Sequence, residues 1–259
     1  MKHSGQWQPR LFLEQPILYL PKSGSDGTGA GLGPPWVAGS GVTVSHPTPA
    51  AGMTTQFRRT RFTSVAVTAD QELGVHLPNA ADCSLYRGSA TSRGGFFFSS
   101  RFMVNAIPNN AIRFFCGLSA ANSGVCVSNT IPVNSVGLFC ESGDSAALKL
   151  VARPASGSQV PTALTSAVTL TAGTLYEFRL WANPNQNVIV TQLINAGTDT
   201  VLNNQNLTAP ADLPGNTVML APQCGLSNAA NVVGGDCSLD ILSIYGRPNL
   251  LLVPSASGL

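Results

Sequence analysis

Apolar and polar positions alternate with a period of two along much of the chain. The clearest case is Gly95 to Val104. There Phe96, Phe98, Phe102 and Val104 fall on one face, and Phe97, Ser99, Arg101 and Met103 on the other. Thr174 to Ala182 alternates strictly: Tyr176, Phe178 and Leu180 point one way, Leu175, Glu177, Arg179 and Trp181 the other. Asn183-Pro184-Asn185-Gln186-Asn187 has hairpin-loop chemistry and leads into a strand from Val188 to Leu193. Further strands are predicted at about 111–118, 136–140 and 147–152, separated by the turns Ile107-Pro108-Asn109-Asn110 and Glu141-Ser142-Gly143-Asp144. A closing strand spans Cys237 to Tyr245, with Leu239, Ile241, Ser243 and Tyr245 expected on one face. From residue 60 onward this spacing predicts about ten to twelve short strands, the rhythm of a β-sandwich. No window sustains a 3.6-residue period for three turns, and nothing alternates strand with helix, so a nucleotide-binding α/β fold is excluded.

The pattern breaks near residue 55. Residues 1–22 carry the apolar stretches Leu11-Phe12-Leu13 and Ile17-Leu18-Tyr19-Leu20, interrupted by Pro16, and residues 23–53 are rich in Gly, Ser, Pro and Ala. Such a segment is poor in regular structure, because Gly raises the entropic cost of order and Pro removes donors. Yet Trp7, Phe12, Tyr19 and Trp36 are costly to leave in water. The expectation is an extended arm over 1–55, buried against another protein, before a domain over 56–259. The apolar tail Leu250-Leu251-Leu252-Val253 suggests a subunit contact through Leu251.

Composition narrows the function. Only 10% of residues are charged, with 14 Lys+Arg against 12 Asp+Glu, while 44% are hydrophobic. A sizeable core is available, and the small net charge of +2 argues against nucleic acid as a partner. No apolar run approaches the roughly 20 residues of a membrane span, so no membrane insertion is expected. The opening residues lack the apolar centre of a secretory signal. The six cysteines, Cys83, Cys116, Cys126, Cys140, Cys224 and Cys237, show no CxxC and no histidine in zinc spacing, so they read as reduced core thiols.

Catalytic patterns are weak. Glu141 and Asp144 are the nearest carboxylate pair, but they belong to a tight turn in which Asp caps its own backbone. Gly27 to Gly33 resembles a phosphate loop without the flanking strand, the helix or the Lys-Ser/Thr ending. No Gly-x-Ser-x-Gly elbow or calcium loop occurs. Glu177 beside Arg179 reads as a solvated or intersubunit ion pair. The basic cluster Arg58, Arg59 and Arg61 reads equally as a docking patch for acidic protein or polyanionic glycan and as a charged edge that resists aggregation. No catalytic, metal or cofactor residue is assigned.

Taken in order, several motifs are similar to one family. Phe57-Arg58-Arg59-Thr60-Arg61-Phe62-Thr63 comes first, followed by Gly94-Gly95-Phe96-Phe97-Phe98-Ser99-Ser100-Arg101-Phe102 and Phe115-Cys116-Gly117-Leu118. Val136-Gly137-Leu138 with Ser142-Gly143-Asp144, Leu175 to Ala182 and Leu239 to Tyr245 complete the set. Over roughly residues 57–248 this resembles the jelly-roll domain of tailed-bacteriophage virion proteins, especially tail fibres and receptor-binding appendages. The resemblance implies an all-β, concanavalin- or lectin-like jelly-roll β-sandwich, commonly homotrimeric, without cofactor, and structural or adhesive rather than catalytic. It further implies a virion protein made in the host bacterial cytoplasm. Other tail or capsid proteins would be partners of the arm (Trp7, Phe12, Tyr19, Trp36), and host surface glycan or protein a partner of the domain. Arg58, Arg59, Arg61, Trp181 and Leu251 are the candidate oligomer or docking contacts. A capsid decoration or head-fibre protein shares this pattern, and a polysaccharide-degrading enzyme on the same sandwich is the rival from another class.

Overall fold

The computed structural model describes residues 17–20, 37–38, 42–45, 47, 58–64, 72–77, 80, 83, 85–88, 94–107, 112–121, 125–228 and 237–248. In chain order the strands are β1 (Ile17–Tyr19), β2 (Val37–Ala38), β3 (Val42–Ser45), β4 (Thr60–Ser64), β5 (Glu72–His76) and β6 (Phe96–Ala106). Then follow β7 (Ile112–Ser119), β8 (Ser135–Cys140), β9 (Lys149–Arg153), β10 (Val160–Ala163) and β11 (Leu175–Ala182). The last four are β12 (Ile189–Asn195), β13 (Thr200–Leu207), β14 (Ala221–Asn228) and β15 (Ser238–Pro248). Every pairing is antiparallel. Sheet A runs β13-β12-β11-β6-β15-β4-β3, with β1 also paired to β15; sheet B runs β10-β9-β8-β7-β14-β5-β2.

The sheets pack face to face, and the inward positions form one core. Phe96, Phe98, Phe102 and Val104 of β6 enter it, as do Tyr176, Phe178 and Leu180 of β11, as their alternation predicts. Sheet B contributes Phe114, Cys116 and Leu118 from β7 with Val136, Leu138 and Cys140 from β8. The Phe102 ring lies 4.8 Å from that of Phe114, across the two sheets, and 5.7 Å from that of Tyr176. All six cysteines are free and buried.

Strand β15 departs from its expected register. Ile241 pairs with Phe102 and Ser243 with Arg101, so Leu242 is an extra residue, a β-bulge. The bulge inverts the pattern beyond it. Ile244 enters the core, while Ser243 and Tyr245, expected beside Leu239 and Ile241, face outward.

The N-terminal segment also differs from expectation, because three pieces of the predicted arm are strands of these sheets. β1 pairs with Gly246, Tyr245 and Ile244, β2 with β5, and β3 with β4. Tyr19, expected to anchor the chain to another protein, is fully buried in this core together with Ile17. Burying such an aromatic side chain is worth about 2–3 kcal/mol. Its phenol is pushed up to about 12 by burial, against the opposing hydrogen bond with Thr60.

The outer face of sheet B is covered by the β7–β8 connection. Val125, Cys126 and Ile131 pack on Phe115, Phe139 and Val151. Gly117 and Gly137 lie beneath the Phe115 ring. A Cβ on Gly117 would sit 2.3 Å from Val136 O and 3.1 Å from Phe115 Cζ, so only glycine lets the ring lie flat on the sheet. The connection is tied down by Val125 N donating to Glu72 Oε1 (3.0 Å), Gln223 Nε2 to Ala121 O (2.9 Å) and Ser227 Oγ to Cys126 O. Residues 120–121 and 125–134 of this connection are therefore closed onto their own sheet.

Candidate functional site

The outer face of sheet A is buried around Met103, Leu175, Leu242 and Asp240 and open nearer Phe97 and Trp181, and the ladder registers arrange it in rows. Val190, Trp181, Phe97 and Arg247 form one row across β12, β11, β6 and β15. Gln192, Arg179, Ser99 and Tyr245 form the next, then Ile194, Glu177, Arg101 and Ser243. Successive rows are about 7 Å apart, two residues of strand rise, and neighbouring strands about 4.8 Å apart. The first two rows line an open basin of about 310 Å³ bounded by Phe96, Phe97, Arg179, Trp181, Gln192 and Arg247. The Arg247 guanidinium stands 6.0 Å from the Phe97 ring centre, and Tyr245 lies 6.1 Å from it at a tilt of 58°.

A charged row closes the basin floor. Glu177 Oε2 accepts from Arg101 Nε at 2.7 Å, and Oε1 accepts from Arg179 Nε at 2.6 Å and from Ser99 Oγ at 3.2 Å. Arg179 Nη1 also donates to Gln192 Oε1 at 3.1 Å. Burial pushes the Glu177 carboxyl up, but the two guanidinium groups outweigh it and hold the group below its ordinary value. A second, smaller hollow of about 160 Å³ lies where the edges of β10 and β13 meet, near Asp212.

The structure separates the residues singled out in the sequence. Trp181 is half-buried on the outer face of sheet A, in the basin. The basic cluster divides: Arg58 is exposed, whereas Arg59 and Arg61 bind Asp240 of β15 within the same chain. Arg59 Nε lies 2.8 Å from Asp240 Oδ2; Arg61 grips both carboxylate oxygens, at 2.7 and 2.9 Å. Asp240 is fully buried and Arg59 is 7% exposed. The Arg61 guanidinium is raised above its ordinary value by its hydrogen bonds to Asp240. The docking role expected of Arg59 and Arg61 is thus corrected, since their charge is spent inside the fold. Trp7, Phe12, Trp36 and Leu251 lie outside the described residues.

Glu141, Asp144 and Glu177 do not face one another across a common site. Asp144 N donates to Glu141 O at 3.2 Å and Asp144 Oδ2 accepts from Glu141 N at 3.2 Å, the self-capped turn read from the sequence. Lys149 Nζ holds Asp144 at 2.9 Å, and Gln159 Nε2 donates to Glu141 Oε1 at 3.2 Å. Glu141 follows β8 of sheet B, whereas Glu177 is on the outer face of sheet A, so the core separates them. Among the described residues no cluster of three or more His, Cys, Asp or Glu is arranged to hold a metal ion.

Sequence reasoning placed Phe97, Arg179 and Trp181 on outward faces but did not join them. It missed Gln192, Tyr245 and Arg247. Gln192 could have been found by extending the 183–187 hairpin register. Tyr245 and Arg247 are brought there by the β15 bulge.

Solved structures with the same architecture share little sequence with this chain. A protein of unknown function, SO2946 from Shewanella oneidensis MR-1, superposes with a TM-score of 0.62 at 13% identity, covering 91% of this chain and 86% of that one. Lectin II from Ulex europaeus gives 0.52 at 13%, covering 91% and 99%. Arcelin-5, a lectin-like defense protein from Phaseolus vulgaris, gives 0.51 at 11%, covering 92% and 99%. The fold is a lectin-like jelly roll. These likenesses establish architecture alone. No protein-family model matches the chain, and no curated protein matches it by sequence.

Proposed function

We propose that the chain is a non-enzymatic recognition protein on the exterior of a bacteriophage-type virion. In this reading it is a homotrimeric tail fibre or tail-associated appendage that contacts host surface glycan. The observation that carries the recognition role is the open basin on sheet A, where two aromatic side chains, two guanidinium groups and an amide converge on a lectin-like sandwich. Flat aromatic faces with a few convergent polar groups suit a small polar ligand such as a sugar. The virion setting rests on the ordered motifs and the charge-poor β domain. Attachment to the particle falls to segments other than β1, β2 and β3, which are committed to this chain's own sheets. The carboxylates favour binding over turnover, because Glu177 is locked between Arg101 and Arg179 and Asp144 within its turn.

The test has two arms. Labelled purified protein should bind host cells and lose that binding when Trp181 becomes Ala, and antibodies should decorate the tail of intact particles. Undiminished cell binding by Trp181→Ala, or label on the capsid alone, overturns the corresponding part. Robust depolymerisation of host polysaccharide, abolished by Glu177→Gln or Glu141→Gln, would overturn the non-enzymatic reading.

A further inference from the structure

The hydrogen-bonding inventory of the basin constrains what it holds. The carboxylate and amide oxygens at its floor are already engaged. Glu177 uses both oxygens on Arg101, Arg179 and Ser99, and Gln192 Oε1 takes the Arg179 Nη1 proton. What is left is dominated by donors: the remaining N–H groups of Arg179, the Gln192 amide, the Trp181 indole N–H and the whole Arg247 guanidinium, with the Ser99 and Tyr245 hydroxyls as the side-chain groups that also accept. Among the described residues Arg247 has no acidic partner; its contact is the Phe97 ring. Charge points the same way. Among the described residues the outer face of sheet A carries Arg61, Arg101, Arg179 and Arg247, with Arg59 just before β4, against two carboxylates, Glu177 and Asp240. Asp240 is shared by Arg59 and Arg61 and Glu177 by Arg101 and Arg179, so of the three surplus charges two, that of the Glu177 group and that of Arg247, lie at the basin.

A lining this rich in donors suits a neutral sugar poorly, because its hydroxyls donate as well as accept. It is right for an oxyanion, which only accepts. Arg179 and Arg247 present planar forks that match a carboxylate or ester oxyanion two bonds at a time. Trp181 and Phe97, neighbours across the β11–β6 ladder, supply an apolar platform beside the forks. The basin volume of about 310 Å³ is at the small end of small-molecule sites, which begin at about 300 Å³, and suits one or two sugar rings. We infer that the basin is a subsite for an anionic sugar residue of a glycan, its ring against Trp181 and its oxyanion between Arg179 and Arg247. The inference rests on the recognition reading above and narrows its ligand to acidic glycans.

The full-length protein is titrated with methyl glucuronide, methyl glucoside, glucose 6-phosphate and galactose 6-sulfate, following amide shifts by NMR at low and at physiological salt. The expected result is that at least one anionic sugar binds, more weakly as salt rises, and that the neutral glucoside binds at least ten-fold more weakly. The three anionic probes distinguish carboxylate from phosphate and sulfate as the source of the oxyanion. Arg247→Gln, at an exposed site, should weaken the anionic sugar about ten-fold or more, because it removes charge-assisted bonds. Trp181→Phe should retain part of the affinity and Trp181→Ala little of it. Lys149→Gln, which removes a cation on β9 of sheet B across the core from the basin, should leave binding unchanged. Equal affinity for glucoside and glucuronide, lost in Trp181→Ala, would overturn the anion subsite while leaving sugar recognition intact. Absence of binding by every probe, with Trp181→Ala and Arg247→Gln altering the oligomeric state, would make this face a subunit contact and overturn both.

Discussion

Glu72 offers the sharpest quantitative test of this fold. It projects from β5 onto the outer face of sheet B, beneath the β7–β8 connection, where its Oε1 accepts the Val125 amide at 3.0 Å. Close packing is evident from Gly225, where an added Cβ would lie 2.8 Å from that oxygen. Burial pushes the carboxyl up from 4.5 to about 7, even though the amides of Val125 and Cys126 favour its ionised form. The folded chain therefore holds this proton more tightly than the unfolded chain. The resulting stability is fully present below pH 4.5 and is lost as pH rises through 7. A shift of this size corresponds to about 3 kcal/mol between those limits. Glu72→Gln keeps the carbonyl acceptor for Val125 and cannot ionise, so its stability should lack this limb. At pH 8 the variant should exceed the native protein by about 2–3 kcal/mol, or roughly 4–12 °C in Tm for a chain of this size. At pH 4.5 the two should agree within about 1 kcal/mol. Urea unfolding of both proteins from pH 4.5 to 8.5 measures the difference directly. Taking that difference cancels His76, half-buried on the same strand and shifted below its ordinary value by desolvation, which acts in the same window with opposite sign. Parallel native and variant curves, or a variant less stable at pH 8, would refute the reasoning.

Three other outcomes follow from the packing. Asp240→Ala leaves Arg59 buried without its carboxylate and should cost about 3–5 kcal/mol in urea unfolding, whereas Arg58→Ala should cost under about 0.5. Tyr19→Ala opens a cavity between the sheets and should cost about 3–5 kcal/mol, with Tyr19→Phe costing about 1 through loss of the Thr60 hydrogen bond; a neutral Tyr19→Ala would return this segment to the status of a free arm. Thiol titration in denaturant should find six thiols with or without reductant, and near none in the native state, since every cysteine is buried.

The parts of the fold visible in the sequence are those set by local alternation. β6 and β11 follow the predicted alternation because each is a long strand with one face in the core and the other outside it, so period two is written into its residue types. What escaped is set by pairing. β1 is three residues long and follows a proline, so nothing local distinguishes it from an arm; only its ladder with Gly246 to Ile244 and the buried Tyr19 make it a strand. The basic cluster misled for the same reason. Asp240, which neutralises Arg61, is 179 residues away in sequence, and no local pattern reports a partner that distant.

The basin shows most clearly how a site arises from a departure from regular structure. Had β15 kept strict alternation beyond Ile241, residue 244 would face solvent and residues 243 and 245 the core. Tyr245 would then be lost from the second row and Arg247 from the first. The single extra residue, Leu242, shifts the strand by one and brings an aromatic and a guanidinium to the face that β6 and β11 already furnish with Phe97, Arg179 and Trp181. Leu242 itself packs outward with Met103 and Leu175, so the bulge is held by an apolar contact of its own rather than by the basin. Deleting Leu242 should leave Ser243 directly after Ile241, opposite Arg101, so that Ile244 stays in the core and Tyr245 and Arg247 stay on the outer face. The recognition reading requires such a variant, if folded by circular dichroism, to keep anionic-sugar binding, and Arg247→Gln in the same background to remove it. A folded deletion variant that has lost the binding would refute the claim that register alone brings Arg247 to Phe97.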